Sequence, residues 1–357
     1  MMPGVSYILA FLMKLFGEFG GITAFRVLQA MLQSISLYLM FLIGRKIFNT
    51  KVAITAVILD TFCIAEIWTP NLVLTETFFK FFVMLLVLFS LEAIEKNELK
   101  YYLIGGLFWG LAALFRPTIA LYPVLILIMW VINKVKLINC IKYALVTTIV
   151  FSAVLCPWWI RNYNIFHKFI PFTLATGNPM LQGTYINYDQ SSRSTDGLNY
   201  KQFDYSYKDN SEQQQNNVEI AISKYRLENL FPKHPIKFIL WYTLGKAWWQ
   251  INYPFYWKQI LGVNFIEAAL YHAIIILLSI FGIVKFIKSK SKNKLALLPM
   301  MVILYFIVVY LPFFTMGRYF FPAMPYVLMF SAYGLLYLGD RYGIVEVLLK
   351  KVKKDSR

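Results

Sequence analysis

The stretch "NLVLTETFFKFFVMLLVLFSLEAIEKNELK", residues 71–100, sets the architecture of the whole chain. From Leu72 to Glu92 it is almost wholly apolar and close to the roughly 20 residues that a helix needs to cross a bilayer. An acid, Glu76, stands near its start, and a lysine-bearing hydrophilic break closes it. Lipid offers no partner to an unpaired peptide group, so such a run must satisfy its own backbone as a helix. Eight further apolar segments repeat the pattern, at about 22–43, 52–69, 101–115, 118–133, 139–159, 263–286, 295–314 and 319–338. The fold class expected is an all-α polytopic membrane protein with about nine transmembrane helices.

Composition agrees. The chain of 357 residues is 59% hydrophobic and only 15% charged, where soluble domains run at about 45–50% and about 25%. The formal charge of +17 invites a nucleic-acid reading, but the lysines cluster in short breaks between apolar runs, as cytoplasmic loops do. Cys63, Cys140 and Cys156 lie in apolar surroundings with neither disulfide nor metal spacing, so each reads as a small buried hydrophobe. The abundance of Ile, Lys, Asn, Phe and Tyr hints at an AT-rich bacterial genome.

The breaks fix an orientation. "GRKIFNTK", "EKNELK", "NKVKLINCIK", "KFIKSKSKNK" and the tail "LLKKVKKDSR" are basic and alternate with breaks that are not, which places those five in the cytoplasm. The opposite, extracytoplasmic face receives "WTPNLVLTE", "LFRPTIA", "FTMGRYFFP" and one large loop region, 161–261. Three parts result: a transmembrane core over 1–160, the loop region over 161–261, and C-terminal helices with a basic cytoplasmic tail over 262–357. Within the loop region, 189–217 is polar and reads as mobile, Val218–Leu230 as helical, and the Trp- and Tyr-rich run before Pro254 as interfacial. At the start, "MMPGVSYILAFLMKLFGEFGG" carries Lys14 inside a run too short to span, and no basic leader precedes it; it reads as a juxtamembrane helix.

Ionisable residues kept at the edge of apolar segments are costly. Glu76, Arg116, Arg161, Lys246 and Arg318 all fall on the outer face, and one acid among several cations suits an anionic headgroup. Arginine adds a forked donor geometry for phosphate oxygens. Each also has a plainer reading. The arginines could reach lipid phosphates from helix ends, while Glu76 could pair with Lys80 one turn on or sit in a cap with Thr75. Asp60 and Glu66 could pack against partners, and His167, His234 and His272 have no ligand spacing.

The stretch "CPWWIRNYNIFHKFIPFTLATGNPMLQGTY" resembles the segment after a mid-chain span in GT-C glycosyltransferases of the protein-O-mannosyltransferase and aminoarabinose-transferase kind. "NLVLTETFF" resembles the second acidic motif of that family, "GLFWGLAALFRPTIALYPVL" its small-residue helix ending in Arg-Pro-Thr, and "RYFFPAMPYVLMFSAYGL" its last-span Arg-Tyr pattern. The resemblance implies a membrane glycosyltransferase that moves a sugar from a polyprenyl-phosphate donor to a lipid, glycan or protein acceptor at the outer face of a bacterial plasma membrane. It implies a catalytic or binding role for Glu76, donor-phosphate binding by Arg161, Arg116, Lys246 and Arg318, and a substrate pocket with Tyr163, Asn178 and Tyr185. It requires no certain cofactor, although a divalent metal is compatible with it; nucleic acid is not an expected partner. One departure stands out. The family's first acidic motif, whose Asp is its expected general base, precedes the stretch that aligns with "MMPGVSY", so the sequence reads as an internal start or a fragment. The other readings are a transporter or lipid flippase, and a non-catalytic family member that binds polyprenyl phosphate.

Overall fold

The computed structural model describes residues 2–203, 212–289 and 293–341. Among them the protein is helical, with no strand and a single bridge between Ile260 and Val263. The helices are α1 (Gly4–Ile47), α2 (Thr50–Thr61), α3 (Ile64–Trp68), α4 (Glu76–Lys96), α5 (Leu99–Ala113), α6 (Pro123–Ile132), α7 (Leu137–Phe166) and α8 (Gly177–Gly183). They continue with α9 (Glu212–Leu230), α10 (Pro235–Leu240), α11 (Lys246–Ile251), α12 (Phe265–Lys288), α13 (Leu297–Val308), α14 (Gly317–Phe320) and α15 (Met324–Arg341).

The all-helical membrane architecture holds, but the number of spans is corrected. Among the described residues five helical stretches are long and apolar enough to cross a membrane: α1, α4, α7, α12 and Gly317–Arg341. The segment expected at 52–69 is a sixth only if α2 and the turn after it count together, because the chain bends there by 62°. The segments at 101–115, 118–133 and 295–314 form shorter helices: α5 of 15 residues, Pro117–Ile132 and Lys294–Val308. At 1.5 Å per residue these reach roughly 22–24 Å, less than a hydrocarbon core of about 30 Å. Proline at 117 and 123 interrupts the middle one.

The stretch expected to be a juxtamembrane helix forms the first part of α1. Gly17 has φ 74° and ψ 176°, a backbone that residues with a side chain avoid. It breaks the helix and folds the arm back so closely that a Cβ on Gly21 would lie 2.5 Å from the Met13 backbone. The arm's first residue is anchored where Gly4 N–H donates to Leu114 O at 2.9 Å, next to Arg116.

The stretch 161–261 is not a loop. α7 continues to Phe166, and helices α8 to α11 with short 3-10 turns occupy most of the chain from there to Ile251. The expected helix at 218–230 lies within α9. The polar run at 189–217 is structured as far as Phe203, where Asp196 pairs with Arg226 of α9; residues 204–211 lie outside the described residues. Leu181, Tyr185 and Ile222 form a small core there. Burial of these side chains removes apolar area from water at roughly 25 cal/mol per Å². An uncovered polar loop would lack that gain.

The main core joins α1, α2, α4, α13 and α15. Phe78 stacks on Phe115 (5.2 Å, 4°), and Phe48 meets Phe286, Phe330 and Tyr333. α12 and α15 touch through Gly282 and Gly334, so closely that a Cβ on Gly282 would collide with Phe330 O. Small residues allow such close backbone approach in lipid, where apolar burial alone gives little association. α7 shows the opposite character: Leu137, Ile138, Ile141, Leu145 and Ile149 are exposed along it, as expected of a lipid-facing helix. Of the cysteines only Cys63 is buried; Cys156 is exposed on this same helix, so the expectation of three buried thiols is corrected.

Candidate active site

Arg116 precedes Pro117, and a residue before proline is pushed to extended backbone. Its φ of −144° and ψ of 125° end α5 abruptly. The side chain reaches α4, where Nη2 pairs with Glu76 Oε1 and Nε donates to Thr75 Oγ1 at 2.9 Å. The third donor group, Nη1, reaches Tyr310 OH at 3.2 Å. Thr75 Oγ1 in turn donates to Glu76 Oε2 at 3.2 Å. Arg318, from the one turn of α14, brings Nε to 2.8 Å from the same Glu76 Oε1, without hydrogen-bond alignment.

An aromatic floor underlies both guanidiniums. Tyr310 and Tyr319 stack at 4.6 Å and 11°, with Arg116 at 5.1 Å and Arg318 at 5.6 Å from the Tyr319 ring. Tyr305 OH donates to Thr118 O, and Thr118 Oγ1 lies 3.1 Å from Tyr310 OH. The Glu76 side chain is fully sealed, and that of Arg116 is 9% exposed, whereas that of Arg318 is 30% exposed. Three ionised groups therefore leave one net positive charge, carried by the arginine that faces outward.

Two plainer readings of Glu76 are thereby corrected. Thr75 makes no side-chain cap bond at the start of α4. Lys80 pairs with Glu66 rather than Glu76, because α3 lies against that face of α4. Lys80 Nζ also donates to Gln33 Oε1 at 2.6 Å, and Gln33 Nε2 donates to Glu66 Oε2 at 2.9 Å. Asp60 is buried beside this triad; its Oδ1 and Glu66 Oε1 have no hydrogen-bond partner. This second cluster has two acids and one cation, all three buried, with Gln33 half-buried beside them.

A strap connects α13 to α14. Residues 311–316 of the strap are held by side chains from the region after α7. Lys246 Nζ donates to Leu311 O at 2.7 Å, and Thr315 Oγ1 donates to Lys246 O at 3.1 Å. Thr315 N–H donates to Tyr188 OH at 2.7 Å, and that hydroxyl is also 2.7 Å from Thr315 Oγ1. Phe314 N–H donates to Pro179 O at 2.7 Å. Lys246 is fully buried, with its ammonium 3.5 Å from the Tyr242 ring and no ion-pair carboxylate among the described residues. Burial alone pushes its pKa down to about 7.

The other expected residues disperse. Arg161 is exposed at the end of α7, hydrogen-bonded to Asn162 Oδ1 at 3.0 Å and lying over Trp158 at 4.8 Å, with no contact to Glu76. Tyr163, two residues on, is 59% exposed. Asn178 donates to Glu219 Oε1 at 3.1 Å, and Tyr185 is buried under Arg226, 4.0 Å from ring to guanidinium. The residues that sequence reading passed over are Tyr310, Tyr319, Thr118 and Thr315; Thr75, weighed only as a cap, accepts from Arg116 Nε instead. Tyr310 precedes the expected "FTMGRYFFP" break and Tyr319 lies within it, so their place at one end of the bundle was available from topology alone.

A divalent metal does not fit at Glu76. The carboxylate faces two guanidiniums, and among the described residues no group of three or more His, Cys, Asp or Glu side chains comes together. Hard cations need several oxygen ligands. Farther along α4, about 21 Å from Glu76 at 1.5 Å per residue, Ser90 opens on an apolar cavity of about 150 Å³ lined by Tyr102, Trp109, Tyr122 and Trp130.

Residues 2–160 match the family model of dolichyl-phosphate-mannose-protein mannosyltransferase. That bears out the resemblance to GT-C-like glycosyltransferases. Together with the apolar helices it supports a multi-pass membrane protein of a glycosyltransferase type. The matched segment holds Glu76 and Arg116; Lys246 and Arg318 lie beyond it. No curated protein and no solved structure matches the chain.

Proposed function

We propose that the protein transfers a sugar from a polyprenyl-phosphate donor to a hydroxyl of a lipid, glycan or protein acceptor, at the outer face of a bacterial plasma membrane. The observation that carries this reading is Arg318. Among the described residues its Nε makes no hydrogen bond, its side chain is partly exposed, and it sits beside a Glu76–Arg116 pair that is already satisfied. A partly exposed cation on α14, beside the Glu76 end of α4, suits a lipid phosphate.

In the transfer the acceptor oxygen bonds to the anomeric carbon, and the bond from that carbon to the phosphate oxygen breaks. The phosphate leaves with the electron pair and takes up the proton that the acceptor hydroxyl gives up, and cations at the phosphate lower the energy of the charge that develops. Arg318 meets the phosphate, and Arg116 fixes Glu76, which holds Arg318 in place. Glu76 is committed to two guanidiniums, so it orients charge rather than accepting the acceptor's proton. The apolar cavity between α4, α5, α6 and α7 offers space for part of a prenyl chain. The family's name points to dolichyl-phosphate mannose as one donor to try first, with protein as acceptor.

Reconstituted protein supplied with polyprenyl-phosphate hexoses should release prenyl phosphate, and Arg318→Ala should remove that release. Equal turnover in wild type and Arg318→Ala would refute the site.

A further inference from the structure

Arg318 stands in α14, the first turn of the helical stretch Gly317–Arg341, and Met316 before it is in extended backbone, so the contacts that hold residues 311–316 bear directly on its position. Among the described residues, the side-chain hydrogen bonds to this strap come from two residues of the region after α7. Lys246 takes both ends: its ammonium donates to Leu311 O, and its backbone carbonyl accepts from Thr315 Oγ1. Tyr188 takes the Thr315 N–H and lies against its hydroxyl. Tyr188 is itself wedged by Trp241 at 4.8 Å and Phe314 at 4.5 Å. The strap starts just after Tyr310, a partner of Arg116, and ends just before Arg318.

Lys246 has no line of contact to Glu76. Its ammonium is enclosed by Leu311 O, the Tyr242 ring and the Gly183 backbone, where a Cβ would come 2.9 Å from Nζ. A cation so enclosed meets no external phosphate. We propose that Lys246, with Tyr188 and Thr315, is a positioning device for Arg318: it clamps the 311–316 strap so that the Arg318 guanidinium is presented to the donor phosphate. This rests on the proposed function and reassigns Lys246 from binding the phosphate to holding the residue that does. It also makes the site depend on the extramembrane region, since Tyr188 and Lys246 come from outside the membrane-crossing helices.

A double-mutant cycle on the full chain in lipid nanodiscs tests this, with farnesyl phosphate as the probe and farnesol as the uncharged control. Residues that act through one another show non-additive effects, whereas independent contacts add. Lys246→Met should weaken farnesyl phosphate binding roughly tenfold, and Arg318→Ala by about thirtyfold, in line with loss of charge-assisted hydrogen bonds. The double variant should be no weaker than Arg318→Ala alone. Thr315→Val should follow Lys246→Met while Thr315→Ser, which keeps the hydroxyl, should bind as wild type. Multiplying effects of Lys246→Met and Arg318→Ala would show a direct contact and overturn the clamp, leaving the site reading intact. Unchanged binding in both Lys246→Met and Thr315→Val would overturn it as well. Wild type that binds farnesol as tightly as farnesyl phosphate would refute the site reading, and the clamp with it.

Discussion

Two clusters of buried charge lie one helical turn apart on α4, at Glu76 and at Lys80, and they are near mirror images. The first has one acid and two cations, with one cation reaching the surface; the second has two acids and one cation, all three buried. Burial of a single charge costs several kcal/mol unless it is paired. Both clusters meet that cost by pairing, yet only the first leaves donors directed at something that could arrive. The contrast separates a site from a strut by sign and access rather than by the number of charges.

The largest expected effect comes from removing the strut. Lys80→Met leaves Glu66 buried beside Asp60 without a cation and should destabilise the fold by about 3–5 kcal/mol. Thermal unfolding in detergent would show it, and Glu66→Gln added to Lys80→Met should recover most of the loss. Next, Arg116→Met removes a partner of Glu76, Thr75 and Tyr310 together. It should lower stability by about 2–4 kcal/mol and abolish turnover, because Arg318 then becomes the only cation on Glu76.

Arg318→Ala probes the same contrast from the other side. It should leave the unfolding temperature nearly unchanged while donor binding falls by about thirtyfold, or about 2 kcal/mol. A large stability loss would place Arg318 with the strut. The smallest mutational effect is expected of Tyr310→Phe, which takes one acceptor from Arg116 and should cost about 1 kcal/mol.

A pH scan separates the clamp from both clusters. The Lys246 pKa is lowered from its ordinary 10.5 to about 7 by burial, so between those values the unfolded chain binds more protons than the folded one. Stability should therefore rise with pH from about 7 to about 10.5 and lie flat below 7 with respect to this group. Lys246→Met should remove that slope.

Much of the first cluster could be read from the chain. Glu76, Arg116 and Arg318 each stand where an apolar run meets a break, and alternation of basic breaks puts all three at one end. Arg161 shares that logic but not the site, because α7 runs on as an unbroken helix past it to Phe166 and leaves it exposed. Topology assigns an end of the bundle; it does not assign a position around it. Lys80 shows a second limit. Its spacing from Glu76 suits a pair within one helix, and only the bend at Phe62–Cys63, which lays α3 against α4, supplies the stronger partner. The nine apolar runs were legible as helices, but their lengths as spans were not, since hydropathy continues through the prolines and turns that shorten them.

Gly183 gives the clamp a sharp tolerance. One added carbon there would meet both the Lys246 ammonium and the Phe313 backbone at 2.9 Å, so even alanine must move one of them. The first thing displaced is the strap that ends at Arg318. A single methyl group at Gly183 is thus enough to disturb the presentation of Arg318, far along the chain from the charge it would displace.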